Sequence, residues 1–277
     1  MTSFDELGSV LASVDETSPL VNAITNKVTV NEVANVILNW GALPVMSDDE
    51  REIDEMISIS SAGLINMGTV SESGEALMMA AGRATETHDV PLVVDPVGAG
   101  ATSTRSRVAE RLTTDLPVDV VKGNYGEIAS LAGADAEVRG VESVGEHADV
   151  AETAMAVARE IDAVVVASGV TDIVASEDEV YEIEAGHEMM GQVVGTGCML
   201  GGTIAAFHGA VDDSLEAAIA GTLGLALAGE AAAAGEYGDY EGPSSYEIAF
   251  LDATAGLTPE EVSAAADRIE RVLTAEA

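Results

Sequence analysis

The sequence predicts an α/β fold in which helices cover both faces of a mainly parallel sheet, as a single domain over residues 1–277. Short apolar runs alternate along the chain with segments of helical periodicity, and this is the order of strands joined by crossover helices. No segment rich in Gly, Ser or Pro divides the chain. At 277 residues and 47% hydrophobic, the chain can bury the core that such a sheet needs.

The first six predicted strands are apolar runs bounded by Gly, Pro, Asn or Asp, as in parallel sheets. They are Leu20–Ala23, Leu43–Met46, Gly63–Asn66, Leu92–Val94, Val118–Lys122 and Ala163–Ala167. Two further runs, Asp172–Ala175 and Glu179–Ile183, alternate across a Glu177-Asp178 turn. They predict a small antiparallel hairpin on the edge of the sheet.

Helical periodicity fills the segments between the strands and most of the chain beyond Gly191. The predicted helices are Val30–Trp40, Asp49–Ser60, Glu72–Thr87, Arg105–Thr114, Tyr125–Ala132, His147–Ile161, Cys198–Phe207, Ser214–Ala234 and Pro259–Ala275.

The charge is strongly negative, with 49 acidic and 11 basic residues and a net charge of −38. Such a surface repels nucleic acid and anionic lipid, so neither is an expected partner. An acidic surface for a basic partner is one interpretation. We favour adaptation to high salt, because molar salt shortens the Debye length to about 3 Å. A halophilic source is therefore expected.

The cellular location is predicted from what the sequence lacks. It has no run of 18 apolar residues, and its first 16 residues lack the basic and apolar regions of a secretory signal. Cys198 is the one cysteine, so an internal disulfide is excluded. We expect a cytoplasmic protein with no membrane partner.

Polar and Gly-rich clusters follow several of the predicted strands. Ligands of open parallel sheets bind beyond the carboxyl ends of the strands, so these clusters predict one binding site on a shared edge. The clusters are Asn22–Asn26, Met46, Asp95–Thr102, Lys122–Glu127 and Ser168-Gly169. Lys122 and Lys27 are the only lysines, and the position of Lys122 in a cluster favours a function for it.

The turn Gly195-Thr196-Gly197-Cys198 precedes an apolar helix. Glycines at a helix N-terminus let backbone N–H groups approach an anion, and the helix dipole adds positive charge there. This is the local structure that a transferred phosphoryl group needs. An ordinary loop-to-helix turn with a buried cysteine explains the same residues equally well.

Asp95 and Glu127 are the acidic residues nearest this edge. Mg²⁺ prefers oxygen ligands and often binds through few carboxylates together with phosphates. Taken singly, Asp95 is explained as a turn residue before Pro96, and Glu127 as an acid in the first turn of a helix. Because both acidic residues are expected beside Lys122, a metal site is the better interpretation of the pair.

Other chemistries lack their sequence motifs. Walker A, HExxH and Gly-x-Ser-x-Gly are absent, and Ser103 stands where a dinucleotide fingerprint has its third glycine. A His-Cys metal site is excluded by the single cysteine.

Several motifs together resemble the hydroxyethylthiazole kinase family, in the same order, from about Ser18 to Asp252. The matching segments are Thr25-Asn26 through Asn35, Gly41–Met46, Asp95–Thr102 with Arg105, Lys122–Ile128, Gly195–Cys198 and Gly242–Ser245. The DPVGAGAT run and the GTGC turn are the most specific of them.

The resemblance implies a ribokinase-like three-layer αβα fold and a homotrimer with active sites between subunits. It implies ATP- and Mg²⁺-dependent phosphorylation of the hydroxyl of 4-methyl-5-(2-hydroxyethyl)thiazole in thiamine salvage. The implied site residues are Asn26, Met46 and Gly195 for the thiazole, Lys122 and Ser168 for ATP, Asp95 and Glu127 for Mg²⁺, and Cys198 as catalytic base in the Thr196-Gly197-Cys198 turn.

Three positions depart from the family pattern. Lys122 stands where Arg is frequent and keeps the charge without the planar fork, and Ser168 replaces a usual Thr while keeping the hydroxyl. Val194 replaces a common Thr, so no polar side-chain contact is expected there.

Two alternatives stay open: a kinase of the same fold for a pyrimidine or sugar alcohol, and a nucleotide-binding regulator without catalysis.

Overall fold

A computed structural model describes residues 7–133 and 147–275. Its centre is a nine-stranded sheet with the order β2-β1-β3-β4-β5-β6-β7-β8-β9. The strands are β1 Leu20–Ile24, β2 Leu43–Met46, β3 Ala62–Asn66, β4 Leu92–Asp95, β5 Val120–Asn124, β6 Val164–Ser168, β7 Asp172–Ala175, β8 Glu179–Ile183 and β9 Ile269–Thr274.

The six strands β1 to β6 run parallel, so their carboxyl ends share one edge of the sheet. All six predicted positions are confirmed to within about two residues, and the β7–β8 hairpin begins and ends where it was predicted. The remaining three strands form the antiparallel end of the sheet.

Helices cover both faces of the sheet, as the predicted three-layer arrangement requires. They are α1 Leu7–Thr17, α2 Val30–Asn39, α3 Ile53–Ser58, α4 Glu72–His88, α5 Ser103–Thr114, α6 Tyr125–Leu131, α7 His147–Ile161, α8 Thr196–His208, α9 Ser214–Ala233, α10 Pro243–Gly256 and α11 Pro259–Ala264. The predictions missed α1 and α10.

Two apolar cores lie on opposite faces of the sheet. One joins α1, α2 and α8–α10 to strand residues such as Val21 and Val93, and the other joins α3–α7 to residues on the opposite face of the same strands, such as Ile24 and Val94. Successive side chains of a strand point to opposite faces, so a strand buried on both faces must be apolar throughout.

The helix predicted over Pro259–Ala275 is wrong in its second half. Helix α11 ends at Ala264, a short 3-10 turn follows, and Ile269–Thr274 forms β9. This strand pairs with β8 and is held by an ion pair of 2.6 Å between Arg271 and Glu179. Pairing with an open strand edge therefore overrides the local helical pattern. As a result the hairpin is not the edge of the sheet, because β9 lies outside it.

Helix α9 is long and apolar enough to cross a membrane by length and composition alone, yet 72% of its apolar window is buried inside the structure. It packs between α8 and α10. These contacts are those of a core helix.

Candidate functional site

The carboxyl edge of the parallel strands brings together the predicted charged residues. Asp95 ends β4, Lys122 lies in β5 beside Val166 of β6, and Ser168 ends β6. The amino end of α8 lies over them: a Cβ atom added to Gly197 would come 3.1 Å from Lys122 Nζ. The predicted convergence of these strand ends with the Gly195–Cys198 turn is therefore present.

Asp95 and Lys122 form a buried ion pair. Asp95 has no exposed surface, Lys122 is 3% exposed, and the Nζ–Oδ1 distance is 3.7 Å. Asp95 Oδ2 accepts a hydrogen bond of 2.7 Å from Asn66 Nδ2, whereas Oδ1 has no hydrogen-bond partner among the described residues. Burial, opposed by the charge of Lys122, raises the pKa of Asp95 to about 7.

Both carboxylate oxygens of Glu127 accept hydrogen bonds from backbone N–H groups. Oε2 accepts from the N–H of Asn124, completing a capping box at the start of α6, and Oε1 accepts from the N–H of Gly98, both at 2.7 Å. The interpretation of Glu127 as a first-turn acid is thus confirmed. The same bonds fix the Asp95–Thr102 loop beside β5.

Gly195 starts α8 in a left-handed conformation with φ +95°. An added Cβ would come 2.7 Å from Thr29 Cγ2, so both the backbone angle and the close approach favour glycine. The first N–H groups of an α-helix have no partner within the helix, and this end of α8 lies close to Lys122. The Thr196 hydroxyl donates instead to the carbonyls of Met190 and Val193, so it holds the turn.

Cys198 is half-buried in the first turn of α8. Its Sγ lies 3.4 Å from Nδ2 of Asn26, which also donates to Thr29 Oγ1 at 2.8 Å and to Asn66 Oδ1 at 3.0 Å. Asn26 is 4% exposed, and its own Oδ1 accepts from the N–H groups of Val28 and Thr29. The structure therefore joins two predicted residues, Asn26 and Cys198, by a direct contact.

Met46 ends β2 and pairs in register with Ala23. Its half-buried side chain packs against the core that contains α2 and α8. A strand-end core position and a wall of a binding site are both consistent with this placement.

A cavity of about 520 Å³ lies between the β6–β7 turn, α8 and α9. Ser168, Thr196 and Gly197 line its polar end, and Leu225 and Ala226 belong to its apolar wall. Asp172 also lines it and was not predicted; burial raises its pKa to about 6, against the opposing effects of the Gly169 N–H and Lys122. A larger groove of about 830 Å³, which Asp119 and His208 line, contains no predicted site residue.

Sequence reasoning also missed Asn66, which contacts both Asp95 and Asn26. An amide at the end of an otherwise apolar strand was the available signal. Arg105 had been noted only as part of a motif. Its guanidinium donates to the carbonyls of Met67, Val97 and Gly68 and so ties together the loops after β3 and β4.

Comparison with known proteins identifies the family of the chain. The model of the hydroxyethylthiazole kinase family matches residues 11–260. The hydroxyethylthiazole kinase of Haloquadratum walsbyi is 64% identical over 96% of this chain and 93% of its own length.

Solved structures show the same fold. That of the hydroxyethylthiazole kinase protein from Pyrococcus horikoshii has a TM-score of 0.84 at 32% identity, over 96% of this chain and 99% of the other. A ribokinase-like superfamily protein from Enterococcus faecalis has a TM-score of 0.65 at 13% identity, over 92% of this chain and 95% of its own, which supports the fold alone. The chain is ribokinase-like in fold and belongs to the hydroxyethylthiazole kinase family.

Proposed function

We propose that this chain, as a single kinase domain, transfers the γ-phosphoryl group of ATP to the hydroxyl of 4-methyl-5-(2-hydroxyethyl)thiazole, in thiamine salvage. Family membership supports the substrate. The observation that carries the chemistry is the meeting of the α8 N-terminus with Lys122 and Asp95 at one sheet edge. Phosphoryl transfer depends mainly on positioning and on stabilising charge, and these groups supply both.

ATP would bind in the cavity of about 520 Å³ beside α8. Its apolar wall suits a nucleoside, and its polar end at Ser168 and Gly197 suits the phosphates. Lys122 and the first N–H groups of α8 would hold the γ-phosphoryl oxygens. The Ser168 hydroxyl, which donates weakly to the Gly123 carbonyl at 3.3 Å, can turn to a phosphate oxygen.

Asp95 and Glu127 are not equally suited to bind a magnesium ion directly. Asp95 offers the buried Oδ1, which has no hydrogen-bond partner within residues 7–133 and 147–275, whereas both oxygens of Glu127 already accept from backbone N–H groups. Asp95 would hold the ion, and Glu127 would reach it through water. The ion would neutralise charge on the phosphates, and few protein ligands are what Mg²⁺ usually takes.

The thiazole alcohol would bind among Asn26, Met46 and Gly195, with its hydroxyl toward Cys198. As base, the Cys198 thiolate would take the hydroxyl proton while the oxygen attacks the γ-phosphorus and ADP departs. The contact of 3.4 Å between Asn26 Nδ2 and Sγ supports this arrangement, because it places the sulfur beside one of the residues proposed for the alcohol.

A homotrimer that completes each site from a neighbouring subunit is part of the proposal. Two apolar side chains next to Asn26 and Gly195 support it: Val28 and Val194 are each 70% exposed and line one shallow surface pocket together. Clustered exposed apolar groups favour association. Light scattering in molar KCl should give three times the monomer mass. We also propose a cytoplasmic location in a halophile.

One coupled assay of ADP release tests the function. The purified protein, in molar KCl with Mg-ATP, is offered hydroxyethylthiazole, hydroxymethylpyrimidine or ribose. Of the three alcohols, only the thiazole alcohol should give measurable ADP formation. Mass spectrometry should find the phosphate ester of that alcohol. Faster turnover of the pyrimidine or ribose would reassign the substrate, and ATP binding without any turnover would indicate a regulator. An Asp95→Asn variant serves as the inactive control.

A further inference from the structure

Asn66 sits between the two halves of the site. It is the last residue of β3, is 2% exposed and stands in register with Asp95. Nδ2 donates to Asp95 Oδ2 at 2.7 Å, while Oδ1 accepts from Asn26 Nδ2 and from the Gly68 N–H, each at 3.0 Å. A single amide therefore touches the acid on one side and the Cys198 partner on the other.

Backbone donors fix the direction of both amides. The Gly68 N–H can only donate, so the oxygen of Asn66 must face it and the NH₂ group must face Asp95. The N–H groups of Val28 and Thr29 fix Asn26 in the same way, and its NH₂ group then reaches Thr29 Oγ1 at 2.8 Å, Asn66 Oδ1 at 3.0 Å and Cys198 Sγ at 3.4 Å. The hydrogen bonds thus run one way, from Asn26 through Asn66 to Asp95.

This direction determines which oxygen of Asp95 is left open. Oδ2 accepts from Asn66, and Oδ1 accepts no hydrogen bond from any described residue and lies 3.7 Å from Lys122 Nζ. Without the Asn66 donor the carboxylate could rotate and place either oxygen toward Lys122. A packing role alone would not need a donor on one side and an acceptor on the other.

We propose that Asn66 is a positioning residue that orients Asp95 for phosphoryl transfer and holds Asn26 against Cys198 and the acceptor alcohol. The inference rests on the proposed function for the identity of that alcohol. The two hydrogen-bonded sides of Asn66 can be tested separately, because one requires a donor and the other an acceptor.

Two substitutions separate the sides. Asn66→Asp keeps the shape and the acceptor oxygen for Asn26 and Gly68 but sets a carboxylate oxygen against Asp95. Asn66→Leu removes both sides. Asn39→Leu is the matched control, since the Asn39 amide bonds Leu251 O and Thr254 Oγ1 at the far end of α2. It should keep wild-type kcat and binding even where it lowers the melting temperature.

The readouts are kcat and, by calorimetry without nucleotide, the Kd of the thiazole alcohol. Asn66→Asp should lower kcat by about 10- to 100-fold, since a small misplacement of a catalytic group costs about 100-fold in rate. Its Kd for the thiazole alcohol should stay within about twofold of the wild-type value. Asn66→Leu should both lower kcat and weaken binding of the alcohol. Equal losses in kcat and binding for Asn66→Asp, or no losses in either variant, would overturn the proposal. If Asn66→Leu does not fold, the split in the isosteric Asn66→Asp decides.

A thiol measurement keeps this inference distinct from the substrate assignment. Wild-type protein that neither binds nor phosphorylates the thiazole alcohol refutes the proposed function. Cys198 is the sole cysteine, so its reaction with Ellman's reagent reports one site. Asn66→Leu should slow that reaction several-fold, because the Asn26 NH₂ group loses one of the acceptors that direct it past Cys198, while Asn39→Leu leaves it unchanged. An unchanged rate in Asn66→Leu overturns the coupling, whatever the substrate.

Discussion

Lys122 Nζ lies 3.7 Å from Asp95 Oδ1, too far for a direct hydrogen bond, and both side chains are buried. Burying two charges is costly unless further hydrogen bonds satisfy them. Under the proposed function, Lys122 would contact a phosphoryl oxygen and Asp95 would contact a cation. The pair therefore resembles a site prepared for ligand more than an ion pair built for stability.

Lys122→Met should lower kcat/KM for ATP by about 100- to 1000-fold, since it removes a charge aimed at the developing charge of the transition state. It also leaves Asp95 buried without its cation. Lys122→Arg keeps the charge and is the control, expected to retain most activity. Steady-state kinetics with ATP varied measure the effect. A folded Lys122→Met enzyme with wild-type kcat/KM would remove Lys122 from the site.

Gly197→Val should reduce kcat more than Cys198→Ala does. The helical conformation of Gly197 tolerates a side chain, but its Cβ would already lie 3.1 Å from Lys122 Nζ and would fill the phosphoryl space. Loss of the thiol removes general-base help, worth about 10²–10⁴-fold, and leaves slow turnover. Cys198→Asp should stay active, because a carboxylate also accepts from Asn26. The reverse ranking of the first two variants, measured at equal folded fraction, would contradict the anion-hole assignment.

Asp172→Asn should stabilise the protein more as pH rises. Burial raises the pKa of Asp172 from 3.8 to about 6, so the folded state holds this proton more tightly than the unfolded state. Stability from this carboxyl is therefore lost as pH rises from about 4 to 6 and stays lost above that range. Asn is neutral throughout and can still accept from the Gly169 N–H.

Denaturant unfolding of wild type and Asp172→Asn at intervals from pH 4 to 8, in molar KCl, measures this difference. The exposed Asp178→Asn removes one charge from the neighbouring turn and serves as control. A stability difference that does not vary with pH, or that Asp178→Asn reproduces, would show that burial of Asp172 has no such effect.

The central strands were predictable because each is an apolar run closed by a turn residue, and a parallel sheet then places Asp95, Lys122 and Ser168 on one edge. The position of β9 was not predictable, because its Ile269–Thr274 segment pairs with β8, which lies far earlier in the chain.

The contacts of Asn66 and Thr196 escaped prediction for a related reason. Asn66 bonds residues of two other loops or strands, and the Thr196 hydroxyl turns back to Met190 and Val193. A sequence pattern indicates which residues share an edge of a sheet. It does not indicate which atom of an amide or hydroxyl faces which neighbour, since that depends on local backbone donors and acceptors.

Salt should stabilise this protein strongly. With a net charge of −38, repulsion across the surface opposes folding, and the Debye length falls from about 10 Å at 0.1 M salt to about 3 Å at 1 M. Surface ion pairs such as Arg51–Asp49 offset little of this, because exposed pairs are individually weak. The melting temperature should therefore rise steadily from low to molar KCl. Sucrose at matched osmolality cannot screen charge, so an equal rise in sucrose, or the same melting temperature at both salt concentrations, would show that charge repulsion is not what limits stability.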